Sequence, residues 1–145
     1  MENANLKSYA LDELEPGMSV SSEQLVSEAD IVKFAEVSGD DNPLHLDADY
    51  AATTLFGQRI AHGMLGASYI SALLGTRLPG AGSVYVSQQL KFKAPVCIGD
   101  SVRTTVKVRE VIAERKRVVL DTYCEVGDKK VLDGEAVMMV TRRAG

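Results

Sequence analysis

Asp40 and His45 stand five residues apart in Ser38-Gly39-Asp40-Asp41-Asn42-Pro43-Leu44-His45, and His45 is one of two histidines in a chain of 145 residues. A carboxylate and an imidazole held at one bend make a proton-transfer site, because imidazole titrates near pH ~6.5 and a neighbouring carboxylate tunes it. The bend is readable. Pro43 has no backbone N–H and pushes Asn42 towards extended geometry, so no regular helix is expected to run from Asp40 to His45. In a helix that offset would set the two side chains ~140° apart around the axis, whereas a turn lets them converge.

The flanking segments must position this bend. Ser27 precedes Glu28, Ala29 and Asp30, and Ile31, Phe34 and Ala35 recur at helical spacing, which predicts a helix capped by Ser27 and ending near Gly39. After His45, a short helix capped by Asp47 leads into a loop through Gly57 to Ala61. Residues 62–74, His-Gly-Met-Leu-Gly-Ala-Ser-Tyr-Ile-Ser-Ala-Leu-Leu, form a helix closed by Gly75 and Pro79. It is nearly uncharged all round, so it is expected to be buried. A mid-helix glycine costs about 1 kcal/mol against alanine, so Gly66 asks for a packing or binding reason.

Residues 19–25 read as a short strand, and residues 83–93, 101–114, 117–126 and 130–141 as longer ones. Val102, Thr104, Val106 and Val108 alternate with Arg103, Thr105, Lys107 and Arg109, while Arg115-Lys116 and Gly127-Asp128 sit where hairpin turns belong. The expectation is an α+β fold, an antiparallel sheet curled around the uncharged helix.

With 46% hydrophobic residues in 145, the chain fits one domain, here residues 19–145, behind a polar, loosely held arm, residues 1–18. The net charge of −4 and the dispersed basic residues argue against nucleic acid. The N-terminus has no basic leader, and no stretch approaches the ~18 apolar residues of a spanning helix, so a cytoplasmic protein without a membrane segment is expected. Cys97 and Cys124 have no metal-ligand spacing and read as reduced core thiols. The histidines, seventeen residues apart, match no ligand spacing either. No metal is expected, and His62 reads as a structural residue opening the buried helix.

The stretch from Ser38 through His45 to Leu46-Asp47 resembles the hydratase motif of the MaoC-like, (R)-specific enoyl-CoA hydratases. Ile60-Ala61-His62-Gly63-Met64-Leu65 is similar to the start of that family's central helix. Leu78-Pro79-Gly80-Ala81-Gly82-Ser83 and Phe92-Lys93-Ala94-Pro95-Val96 are similar to its later segments, so the likeness runs over roughly residues 20–140. The nearest type is the short, single-domain hydratase that feeds polyhydroxyalkanoate synthesis from fatty-acid oxidation. The resemblance implies a hot-dog fold and reversible addition of water to a trans-2-enoyl-CoA, giving the (R)-3-hydroxyacyl-CoA. It implies that Asp40 and His45 are the catalytic pair and that Ser71 holds the position of a supporting serine. It further implies a homodimer joined edge to edge, and no cofactor beyond the CoA of the acyl-CoA substrate.

Such a reaction needs a water deprotonated as it attacks C3, a proton delivered to C2, and a donor for the enolate-like charge on the thioester oxygen. Asp40 and His45 can grip the water, with Asn42 in support; the sequence does not divide the two transfers between them. The donor role suits the backbone N–H of Gly63 at the start of the buried helix. Gly66 and Leu74 are candidates for the acyl pocket. Two alternatives stand beside this reading: a 3-hydroxyacyl-thioester dehydratase using acyl carrier protein substrates, and a non-catalytic acyl-thioester-binding module.

Overall fold

The computed structural model describes residues 6–142. Five strands, β1 (Ser19–Leu25), β2 (Val84–Phe92), β3 (Ser101–Ile112), β4 (Arg117–Val126) and β5 (Lys129–Met139), form one antiparallel sheet in the order β1-β3-β4-β5-β2. Four helices, α1 (Glu28–Ser38), α2 (Pro43–Leu46), α3 (Ala48–Ala52) and α4 (Gly63–Thr76), all fall between β1 and β2. The alternation along β3 holds: Val102, Thr104, Val106 and Val108 are buried while Arg103, Lys107 and Arg109 are exposed. Thr105 departs from it and is buried, its hydroxyl bonded to Ser21 on β1 at 2.8 Å.

The sheet's register is fixed at its turns. Lys116 takes the left-handed conformation, φ 56°, between β3 and β4, and Gly127, φ 59°, does so between β4 and β5. Both sit at the predicted hairpin positions. One close approach also depends on glycine. Gly134 pairs with Leu90 on one side and Thr122 on the other, and a Cβ there would collide with the Gln89 carbonyl oxygen.

α4 packs on one face of the sheet, against β1, β2, β3 and β4, and buries Leu65, Ala67, Tyr69, Ile70, Leu73 and Leu74. Each fully buried leucine or isoleucine contributes about 1.5–3 kcal/mol. The uncharged helix is nevertheless not buried all round. Met64, Ser68, Ser71 and Ala72 lie on a face open to solvent in the single chain.

The N-terminal arm also differs from expectation, because its apolar residues are part of the core. Ala10, Leu11 and Leu14 are buried. Lys7 N–H donates to Thr76 C=O at 2.8 Å, Tyr9 N–H to Pro79 C=O at 2.9 Å, and Leu11 N–H to Arg142 C=O at 2.8 Å. Arg142 returns hydrogen bonds to Ser8, both at 2.9 Å. A polar composition concealed three apolar anchors. No helix among the described residues is long and apolar enough to cross a membrane.

Gly134→Ala is expected to force β2 and β5 apart at a costly place, destabilising the fold by about 1–3 kcal/mol and lowering Tm by roughly 3–10 °C. A thermal melt followed by circular dichroism measures this, and an unchanged melting temperature would contradict the assigned β2–β5 register.

Candidate functional site

Local rules build the bend. Ser27 caps α1 through a reciprocal pair of bonds with Asp30, at 3.1 and 3.3 Å, and Gly39 ends it in the left-handed conformation, φ 80°. The chain then descends through successive side-chain-to-backbone turns. Ser38 Oγ accepts from Asp40 N–H at 3.1 Å, Asp40 Oδ1 from Asn42 N–H at 3.3 Å, and Asn42 Oδ1 from Leu44 N–H at 3.0 Å. No helix runs from Asp40, as expected, but His45 does sit on a helical turn. With Asn42 as N-cap and Pro43 at the first helical position, α2 begins where a proline's fixed φ and missing N–H are least harmful. Asn42 therefore acts through its cap, which orients the turn carrying His45.

Both histidines are buried, His45 at 8% and His62 at 3% relative exposure. His45 Nδ1 lies 2.8 Å from Ile60 C=O, and His62 Nε2 lies 2.9 Å from Asp40 C=O. A carbonyl oxygen only accepts, so each of these ring nitrogens carries a proton, and the nitrogens free to act as bases are His45 Nε2 and His62 Nδ1. The rings stack with centroids 3.9 Å apart and planes 27° from parallel. Phe34 of α1 closes on the His62 ring at 4.9 Å. His62 Nδ1 is buried with no hydrogen-bond partner among the described residues, a condition that costs about 1–3 kcal/mol.

Side-chain polar atoms of Asp40, His45 and His62 thus fall within 4.8 Å of one another. The spacing of the two histidines along the chain had argued against a shared metal site, yet the fold brings both rings into one cluster with Asp40. An acid and two imidazoles at this separation, with one nitrogen of each ring fixed by a carbonyl, have the groups that proton transfer requires. Arg59 holds the site from behind, its Nε donating to His45 C=O at 2.8 Å and its Nη1 to Glu28 Oε1 at 2.7 Å, which ties α1 to α2.

A cavity of about 390 Å³ opens beside the cluster, lined on α4 by His62, Gly63, Gly66 and Tyr69 and on the sheet by Cys124 and Leu132. Gly63 is the first residue of α4, His62 provides no side-chain cap, and the N–H groups of a first helical turn have no partner inside the helix. Phe92 lies close over Gly63, where a Cβ would come within 2.7 Å of its ring. Tyr69 and Cys124 add no charge to the cavity wall, which Lys93 also lines. Burial, reinforced by Asp30 and Cys124, pushes the Tyr69 hydroxyl up to about 12, and burial likewise raises the Cys124 thiol against the opposing hydrogen bond from Thr104.

The structure brings Asp40 and His45 together with His62, and places Gly63 and Gly66 on the cavity wall that His62 shares, but it puts neither Ser71 nor Leu74 in either group. Ser71 follows Gly63 by eight residues, about 12 Å along the axis, and sits roughly 160° round it from Tyr69. It belongs to the exposed stripe of α4. Leu74 is fully buried in the core and does not line the cavity. His62 and Arg59 were missed as site residues. The His-Gly pair opening an uncharged helix was a signal for the first; nothing local marked the second.

Residues 13–130 match the family model described as a MaoC-like domain. The chain is 52% identical over 135 residues to an (R)-specific enoyl-CoA hydratase of Rhodospirillum rubrum, covering 93% of this chain and 94% of that one. It is 51% identical over 138 residues to a 3-hydroxybutyryl-CoA dehydratase of Methylorubrum extorquens, covering 95% and 88%. Among solved structures, the Aeromonas caviae (R)-hydratase involved in PHA biosynthesis superposes with a TM-score of 0.86 at 42% identity, covering 88% of this chain and 98% of that one. The architecture is accordingly the expected hot-dog fold, with α4 as its central helix. With its motif, its fold and most of its length accounted for in this way, the chain belongs to the MaoC-like family.

Proposed function

We propose that the protein is an (R)-specific enoyl-CoA hydratase, a hydro-lyase that adds water reversibly to a trans-2-enoyl-CoA to give the (R)-3-hydroxyacyl-CoA. The observation that carries this reading is the convergence of Asp40 and His45 beside a mostly apolar cavity whose wall includes the first turn of α4. Because Nδ1 of His45 is committed to Ile60, its Nε2 is the base that takes a proton from water as the oxygen bonds to C3. Asp40 accepts a hydrogen bond from the water's second O–H, which stays on the product oxygen, and balances the imidazolium. The imidazolium then returns the proton to C2, so the elements of one water are added and no other reactant is consumed. Gly63 N–H, backed by the helix dipole, receives the charge that develops on the thioester oxygen. The chemistry calls for no cofactor beyond the CoA carried by the substrate. The two free thiols, Cys97 and Cys124, agree with a cytoplasmic setting.

The same reading includes a homodimer. β2 is an edge strand exposing Val84, Tyr85, Val86 and Phe92, and α4 presents Met64, Ser68, Ser71 and Ala72 to solvent. An open, apolar strand edge is a liability that a twofold pairing with a second copy removes. That pairing gives the open stripe of α4, with Ser71, a place at the boundary between copies. Leu74 has no acyl-pocket role in this reading. Gly66 keeps one, since a Cβ there would reach ordinary contact with Leu132 at 3.4 Å and Cys124 at 4.0 Å.

Crotonyl-CoA should lose its enoyl-thioester absorbance when the protein is added, and Asp40→Asn and His45→Gln should each lower kcat by roughly 10²–10⁴-fold. Turnover unchanged by both substitutions would remove the pair from the mechanism. Gly66→Leu is expected to leave crotonyl-CoA turnover within a few-fold while sharply reducing that of longer enoyl-CoAs; an unaltered chain-length series would take Gly66 out of the acyl pocket. Light scattering at micromolar concentration should give the mass of two chains, and a monomeric mass would refute the dimer.

A further inference from the structure

His62 does more than begin the central helix. Its side chain makes no cap, although α4 starts at the next residue. Instead Nε2–H reaches back across the site to the main-chain carbonyl of Asp40, 2.9 Å away, and the ring lies under His45 at a centroid distance of 3.9 Å. One buried side chain thus touches both members of the candidate pair. It meets Asp40 at the backbone and His45 at the ring face, while Phe34 braces it from α1 at 4.9 Å. These contacts leave Nδ1 buried and unpartnered. Apolar packing alone would be better served by phenylalanine or leucine, with no orphaned atom, so the imidazole's use lies in the bond it donates.

We infer that His62 is a positioning residue for the hydration reaction, fixing the distance between the Asp40 carboxylate and His45 Nε2 by holding the Asp40 carbonyl with its Nε2–H and supporting the His45 ring with its own. The inference rests on the hydratase reading of the same site. Removing His62 takes one side chain from the cavity wall but leaves Asp40, His45 and Gly63, and it lets the Asp40 loop and the His45 ring move independently. That loss falls on kcat and not on substrate binding, because a proton-transfer geometry tolerates little displacement.

His62→Ala should lower kcat for crotonyl-CoA at least tenfold with KM within about threefold. His62→Gln, whose side-chain amide can donate from the position of Nε2, should recover most of the loss. His62→Phe, which keeps a flat ring but has no donor, should recover less. If kcat per folded molecule is unchanged in His62→Ala, or if Gln gives no advantage over Phe, the positioning role is refuted. A second readout does not depend on activity or on the variants folding. In the ¹⁵N-histidine NMR spectrum of the wild-type protein, His62 should appear as the Nε2–H tautomer and His45 as the Nδ1–H tautomer. The opposite tautomer at either ring overturns the inference. A wild-type protein that shows these tautomers yet hydrates no enoyl-CoA would instead overturn the functional reading.

Discussion

Burying α4 against the sheet removes the side chains of Leu65, Ile70, Leu73 and Leu74 from water and fixes the rotation of the helix about its axis. Once that rotation is set, Gly63, Gly66 and Tyr69 must face the cavity, and Met64, Ser68 and Ser71 must face away from the fold. The helices α1 and α2, which precede α4, converge on its first turn. α1 supplies Phe34 to the His62 ring, and α2 supplies His45 to the same stack. Arg59 ties the two helices together through Glu28 and the His45 carbonyl. The apolar core and the polar cluster are therefore not separate achievements of the sequence.

Features governed by near neighbours were legible in advance. Ser27 and Gly39 bound α1 because capping and the left-handed stop are decided within four residues. Lys116 and Gly127 sit at the hairpins, and the alternation of β3 marks its inner face correctly apart from Thr105. Asp40 and His45 were readable because a single bend joins them. What remained hidden depends on distance along the chain. His62 is seventeen positions from His45, and only the packing of α4 brings the rings together. Ser71 was assigned by likeness and Leu74 as a candidate one turn further along, but their placement depends on a helical rotation that composition does not encode. The buried side chains of the arm, Ala10, Leu11 and Leu14, were masked by the polar residues around them.

The site also shows how uncharged groups can direct charge. Tyr69 and Cys124 stay protonated because burial disfavours their anions, so neither adds an anion to the cavity wall. In such an environment, main-chain carbonyls decide which imidazole nitrogen remains basic, and they do so without adding net charge. The selection is made by Ile60 and Asp40 through backbone atoms. Substitution of their side chains would leave those particular acceptors in place.

The contacts joining Ser8 and Leu11 to Arg142 have a consequence for how the chain is threaded. They bring the two ends of the described chain to one location, so the backbone is nearly a closed ring. A closed ring has no privileged starting point. The strand order β1-β3-β4-β5-β2 then reflects spatial pairing more than the order in which the segments are synthesised. The same pairing is geometrically compatible with a chain opened at an exposed loop and joined where Ser8 meets Arg142.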